Sequence, residues 1–426
     1  MKHSLLFTLV FTILFFGCDG EKEQPQPIPI QPVPVKEAPQ PLPDFQFSLK
    51  VMPSYASIEE AELIVSEQGG KVLLDTLVST FREHTLKVRT LEKHFLVTTV
   101  SYNKSTDIIE MYSYLQVSPN NWELLPNDRF RYLNQPNSPS SERAKLNYVN
   151  TPYIPDGTSY FASSFGSGSG SSMYDYASST IEQEYEKHSS NFTYLVIPSR
   201  QLFKIKEVQS NDASVDLTEM NSAQKSLFKT TPNLKKLGVN LFGYPIADDY
   251  NNFLWLYSSS IPELHGRFDI IYPTSQIHQY KLATTWTDAT SNLYEYYSLA
   301  DSVPTHLAFI DDSFLKVNSR SFDNLDVQFL KDQPTYYAST WMDDESKIYW
   351  MIYAPPTTTT FNPKEYITSL NSSLLKHRNT ADLALVNLTV EKADNLSHQL
   401  FFDNVFTPEL KRKKAIGLSR KFIKKM

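Results

Sequence analysis

The sequence predicts a mainly β fold with few short helices, and three observations carry that expectation. Aromatic residues are in excess, with 25 Tyr and 26 Phe against only 12 Gly in 426 residues. Aromatic and β-branched side chains fill the pleated, half-buried surface of a sheet. Apolar and polar residues alternate in short runs, the period-two pattern of strands with one buried face. A hairpin-like pattern, T-W-x-D-x-x-S-x-[LI]-Y, occurs at Thr285–Tyr294 and again 55 residues later at Thr340–Tyr349.

The amino-terminal 44 residues stand apart from that fold. Lys2-His3 precedes a largely apolar run, Leu5 to Phe16, and then Gly17-Cys18, so residues 1–17 read as a signal peptide. The run is short of the roughly 20 residues a membrane-spanning helix takes. Gly17-Cys18 resembles the lipobox of bacterial lipoproteins, although Phe15 stands where that family has an aliphatic residue. The resemblance implies cleavage before Cys18 and a lipid on its thiol. Cys18 is the only cysteine, so no disulfide competes for it. Residues 24–43 hold eight prolines, which lack amide donors and fix φ. Residues 18–44 are therefore expected to form an extended polyproline II stalk, whose proline-dense part spans roughly 60 Å. The charged patch Asp19-Gly20-Glu21-Lys22-Glu23 resembles the export signals of Bacteroidota surface lipoproteins, which implies the cell envelope, and the outer membrane rather than the inner.

Residues 45–130 follow as a small β module. Alternating runs occur at Phe45–Val51, Ala61–Ser66, Lys71–Val78, Thr85–Arg89, Phe95–Tyr102 and Ile108–Val117, with a hairpin signal at Gln68-Gly69-Gly70. Six short strands fit an immunoglobulin-like or prealbumin-like sandwich. The stretch Glu67–Val72 also resembles the β-sandwich modules of exported Bacteroidota proteins.

Residues 131–190 are rich in Ser, Gly and Pro and read as a linker or loop region, with the tract Ser163–Ser172 at its centre and a short helix over Tyr174–His188. The tract lacks phosphate-loop spacing and a following lysine. Residues 191–410 form a larger antiparallel region carrying the repeat, with a looser copy at Asp248–Trp255. Stacked sandwich modules account for it, and a β-propeller is the alternative that repeats of such length raise. Short helices are expected at Met220–Lys229 and Pro363–His377.

The segment 411–426 holds eight basic residues and no acidic one, so the net charge of −7 becomes −15 once they are taken away. Ala415, Leu418, Phe422 and Met426 share one face at helical spacing, which reads as a basic amphipathic helix suited to an anionic membrane. The acidic body excludes nucleic acid as its partner.

Chemistry is sparse. The nine histidines show no H-x-H or H-E-x-x-H spacing, and no G-x-S-x-G elbow is present. S-x-x-K occurs five times without its companion motifs. Asp248-Asp249, Asp311-Asp312 and Asp343-Asp344-Glu345 fall between strands, where Asp starts turns. They leave calcium binding and glycoside hydrolysis as minor readings. No catalytic residue, metal or cofactor is expected. Candidate ligand-binding aromatics are Trp255, Trp286, Trp341 and Trp350, with Tyr296, Tyr297, Tyr349 and Tyr353 beside them in the sequence, because flat rings stack on sugars and anchor interfaces. The expectation is a non-enzymatic envelope protein that binds or scaffolds. Its partners would be the membrane, through the lipid on Cys18 and the 411–426 tail, and other envelope proteins or a glycan. A carbohydrate-binding accessory lipoprotein of a glycan-uptake system is the alternative.

Overall fold

Twelve strands hydrogen-bond side by side into one sheet. In spatial order they are Leu254–Ile261, Leu234–Tyr244, Gln279–Asp288, Leu293–Ala300, Leu418–Lys425, Ala384–Ala393, Tyr336–Asp343, Ile348–Ala354, Ile108–Val117, Phe95–Asn103, Glu60–Glu67 and Val72–Ser79. Every neighbouring pair is antiparallel except Ile348–Ala354 with Ile108–Val117. This computed structural model describes residues 45–51, 60–79, 82–118, 121–124, 143–154, 159–165, 167–173, 181–186, 191–209, 213–229, 234–250, 252–261, 267–406 and 417–426. Cys18, the stalk at 18–44 and residues 411–416 lie outside the described residues.

The chain is mainly β, as its composition implies. All six strands expected between residues 45 and 117 are present. Four of them extend the same sheet as the carboxy-terminal strands, through the parallel pair that sets Trp350 beside Met111. Trp350 Nε1 donates to Ser113 Oγ across that junction at 2.9 Å. The N-terminal strands thus share hydrogen bonds and core with residues 336–354.

Alternation along these strands feeds two faces. Ile64, Met111, Trp341, Trp350, Val390 and Phe422 face one way, beneath the three-stranded sheet Leu315–Ser321, Asn324–Phe329 and Thr360–Phe361 and a helix, α1, at Pro363–Leu370. Leu63, Val65, Val97, Tyr114 and Tyr353 face the other way, against Phe401, Phe402 and Phe406 of a second helix, α2, at His398–Phe406. Burying one such apolar side chain stabilises the fold by about 1.5–3 kcal/mol. Further along, Leu237, Val239, Leu241, Leu282 and Trp286 pack against Tyr194, Val196, Phe203 and Ile205 of a five-stranded sheet. The opposite side of that sheet buries Leu195 and Ile197 against Leu146, Tyr148, Ile181 and Tyr185.

Several expected elements are corrected. The Ser/Gly tract forms paired strands, Ser159–Ser164 and Ser167–Met173, rather than a linker. Arg143–Val149 and Ile181–Glu186 also pair, and the buried Ile181, Gln183 and Tyr185 show why the second of these is not helical: the buried positions recur every two residues. Met220–Lys229 is likewise extended, with Gln224–Lys229 paired to Arg267–Tyr272. The helix expected over Pro363–His377 exists but ends at Leu370, where Asn371 turns left-handed at φ 50°. Helix α2 was not anticipated. The repeats are hairpins of one continuous sheet and not blades about an axis, which removes the propeller alternative.

The helix expected over 411–426 is also corrected. Leu418–Lys425 is a strand inserted between Leu293–Ala300 and Ala384–Ala393. Phe422 is fully buried against the Tyr294 ring. Its basic neighbours find carboxylates that a free helix would leave behind: Lys421 meets Glu295 at 2.8 Å, Arg420 meets Asp394 at 2.6 Å, and Lys424 meets Asp312 at 2.5 Å. The buried Glu391 accepts from Tyr336 Oη at 2.5 Å and Ser419 Oγ at 2.6 Å, and the Lys421 ammonium lies 3.6 Å from it. Two ladders and an internal ion network outweigh the helical spacing of four apolar residues.

Candidate functional site

The four sequence-selected tryptophans separate cleanly by environment. Trp341 and Trp350 are 0% exposed and Trp286 is 2% exposed, so their rings are core and present nothing to a ligand. Trp255 is half-buried at the margin of the core, with its Nε1 donating to the Tyr257 carbonyl at 3.1 Å.

The strands around it alternate sharply. Val239 and Leu241 are buried in the core while Asn240 and Phe242 are half-buried on the opposite face. Lys281 opposes Phe242 on the next strand, and Trp255 opposes it on the other side. On the core side of the same strand Gly243 leaves room for Leu256 and Ile277, because a Cβ there would lie 2.7 Å from Leu256 Cδ1 and 2.8 Å from Ile277 Cδ1. The turn between the Leu234–Tyr244 and Leu254–Ile261 strands adds Tyr250 and Phe253. Asp248 takes φ 60° there, and Asp249 accepts from the Asn252 amide at 3.3 Å and side chain at 2.8 Å.

The result is a ring cluster. Phe242 lies edge-on to Phe253 at 5.1 Å and tilted to Trp255 at 5.4 Å, while Tyr244 meets Tyr250 at 5.6 Å. The Lys281 ammonium sits 5.2 Å from the Phe242 centroid and 5.5 Å from that of Tyr297, at cation–π distance from both. Burial among rings lowers the Lys281 pKa to about 8. Burial, then the neighbouring Tyr250, pushes Tyr297 up to about 12. Tyr250 is raised by burial and by the carboxylates of Asp248 and Asp301. Its hydroxyl donates to Gln279 Oε1 at 3.0 Å, and Gln279 Nε2 donates to Asp301 Oδ1 at 3.1 Å. Half-exposed rings thus surround one amine and are bordered by an amide and carboxylates.

The acidic clusters lie on separate turns. Asp311 caps its turn by accepting from the Ser313 amide at 3.0 Å, and its neighbour Asp312 pairs with Lys424. Asp343 accepts from the amides of Glu345 at 3.2 Å and Ser346 at 2.9 Å. Among the described residues no three His, Cys, Asp or Glu side chains are grouped to hold a metal, and no helix is long and apolar enough to cross a membrane. Ser373, one of the S-x-x-K serines, is engaged by the buried Glu62, to which its hydroxyl donates at 2.9 Å.

Sequence reasoning found Trp255 and Tyr297 but missed Phe242, Tyr250, Phe253 and Lys281. The available signal was Asn240 and Phe242 alternating with the buried Val239 and Leu241 in V-N-L-F. The chain matches no family model and no curated protein.

Proposed function

We propose that this chain is a non-enzymatic binding or scaffolding module of the bacterial cell envelope, held by a lipid on Cys18 at the outer membrane. The half-exposed sheet face around Trp255 is its binding surface. The observation that carries the reading is that aromatic rings gather on this face while the other three sequence-selected tryptophans are enclosed in the core. The anchor rests on the lipobox-like Gly17-Cys18 and on the absence of any second cysteine. Cys18→Ser should abolish palmitate incorporation in a bacterial host and shift the protein from the membrane to the soluble fraction. Continued labelling of that variant would refute the anchor.

A second reading, carbohydrate binding, is favoured by the border of the cluster. Gln279, Asp301 and the Tyr250 hydroxyl are suited to sugar hydroxyls, while Trp255 and Phe242 offer flat apolar surface for the C–H face of a ring. On a glycan array the full chain should bind a defined subset of oligosaccharides, and Trp255→Ala should lose them with its thermal midpoint little changed. An array with no hit would leave protein scaffolding as the function.

A further inference from the structure

We propose that the gap between the strands Leu293–Ala300 and Ala384–Ala393 is a strand-binding slot, and that residues 417–426 occupy it as a separable ligand. Their seating fastens the part of the sheet that carries Trp255 to the rest, whatever the Trp255 face binds. Among the described residues the two flanking strands do not pair with each other. Each is bonded on its far side, to Gln279–Asp288 and to Tyr336–Asp343 respectively, and on its near side to Leu418–Lys425. The strands out to Leu254–Ile261 lie on one side of the slot and those out to Val72–Ser79 on the other. Within the sheet, hydrogen bonds pass between these two parts through the inserted strand.

The segment carries its own address. At one end the Leu299 amide donates to the Gly417 carbonyl at 2.7 Å and the Asp394 amide to that of Leu418 at 2.8 Å. At the other the Lys425 amide donates to Asn292 Oδ1 at 3.0 Å and the Met426 amide to the Val386 carbonyl at 3.0 Å. Between them the buried Phe422 has Tyr294 opposite on one side and Val390 on the other. Arg420 and Lys424 alternate with Phe422 on one face and reach Asp394 and Asp312, while Lys421 on the other face reaches Glu295 and Glu391. A slip of one residue turns Phe422 out of the core, and a slip of two sets Arg420 or Lys424 between Tyr294 and Val390, so one register fits. An emptied slot leaves Glu295 and Glu391 facing each other without the Lys421 ammonium, and like charges oppose closure of the two edges on one another. The slot thus selects an extended segment with cations on both faces and one aromatic anchor. Ladder hydrogen bonds supply the affinity and the side chains supply the choice.

The test nicks the full chain. A specific protease site is inserted between residues 410 and 417, the folded protein is cut in detergent, and a fluorescent peptide of residues 417–426 is added in excess. The cut protein should keep its own segment on gel filtration at low salt and then exchange it for the labelled peptide, as read by anisotropy and native mass spectrometry. A peptide carrying Phe422→Ala should bind at least about tenfold more weakly, and so should one with Arg420, Lys421 and Lys424 all replaced by Gln. Salt at about 1 M, where the Debye length is about 3 Å, should hasten the exchange. Hydrogen exchange on the uncut chain is a second measurement, and it decides if the inserted site resists cutting. There Phe422→Ala should lose amide protection in Leu293–Ala300 and Ala384–Ala393 and keep it between Phe95–Asn103 and Ile108–Val117. Unfolding on cutting, a resident segment that never exchanges, a scrambled peptide that binds equally, or loss of protection throughout the sheet in Phe422→Ala overturns the inference.

Discussion

The two copies of T-W-x-D-x-x-S-x-[LI]-Y share a sequence pattern and differ by one residue in register. In the first hairpin Thr287 opposes Leu293, so five residues make the turn and Trp286 faces Tyr294. In the second Asp343 opposes Ile348, so four residues make the turn and Trp341 faces Trp350. A one-residue slip exchanges the faces of a strand. Tyr294 therefore stacks on Trp286 at 5.2 Å on the core side, whereas its counterpart Tyr349 opposes Met342 and meets Tyr112 on the other face. The left-handed residue follows the slip, Ser291 in one turn and Lys347 in the next. Motif identity thus specifies that a hairpin forms, and the turn specifies which residues it buries.

Removing the tryptophans should show the largest difference between the hairpins. Trp341 is enclosed, tilted against Phe322 at 5.3 Å, with its indole donating to Ser339 Oγ at 3.0 Å. Trp286 has the half-buried Tyr294 as its stacking partner, and that ring can settle into the vacated space. Trp341→Ala is expected to cost about 5 kcal/mol and Trp286→Ala about 3 kcal/mol, both by urea denaturation. Equal losses would show that the two cores tolerate a cavity alike and that register does not matter to their energetics.

Exchanging the tyrosines sharpens the same point at smaller scale. Tyr294→Ala removes a stack on Trp286, a tilted contact with Phe422 and a hydroxyl that donates to Asp288 Oδ2 at 2.9 Å. Tyr349→Ala removes a half-buried ring tilted 59° to Tyr112 at 6.4 Å. About 2 kcal/mol against about 1 kcal/mol is the expected ratio. A greater loss at Tyr349 would mean that the outer face contributes more than its exposure implies.

This contrast also marks what the sequence makes legible. Alternation located strands such as Val72–Ser79 and His84–Thr90, where exposed and less exposed positions take turns. Phe95–Asn103 and Ile108–Val117 bury side chains on both faces and were marked by their β-branched and aromatic residues. Pro363 after Asn362 announced helix α1, since that side chain accepts from the Glu365 amide as an N-cap. The Ser/Gly strands were hidden because their residues carry little apolar signal, and pairing with Phe161 and its neighbours holds them extended. Phe422 and its basic neighbours read as helical because three- and four-residue spacing is all a single segment can show. The carboxylates that decide the matter, Glu295 and Glu391, come from distant strands. The site was partly legible for the same reason. Trp255 is visible as a residue type, but its exposure depends on Phe242, Lys281 and Tyr297, which only strand pairing brings together.

The turn carboxylates should give the smallest effect and the most direct test of why the registers differ. Asp288 accepts from the Thr290 amide at 2.8 Å and hydroxyl at 2.7 Å, from Asn292 at its amide and side chain, and from Tyr294 Oη. Partial burial works to raise its pKa, but the donors of Thr290, Tyr294 and Asn292 outweigh it and hold the carboxyl below the usual value. A lowered folded-state value stabilises the protein above the unfolded value of about 3.9 and ceases to do so as pH falls through the folded one. Asp288→Ala should therefore cost about 1 kcal/mol at neutral pH after solvent screening, and the gap to wild type should close below about pH 4. Asp343, which accepts from the amides of Glu345 and Ser346 on an exposed turn, should lose less on the same substitution. Denaturation midpoints followed from pH 7 to pH 3 measure both. If Asp343→Ala costs as much as Asp288→Ala, then the five-residue turn is not held by its carboxylate and the register must be set by the strands alone.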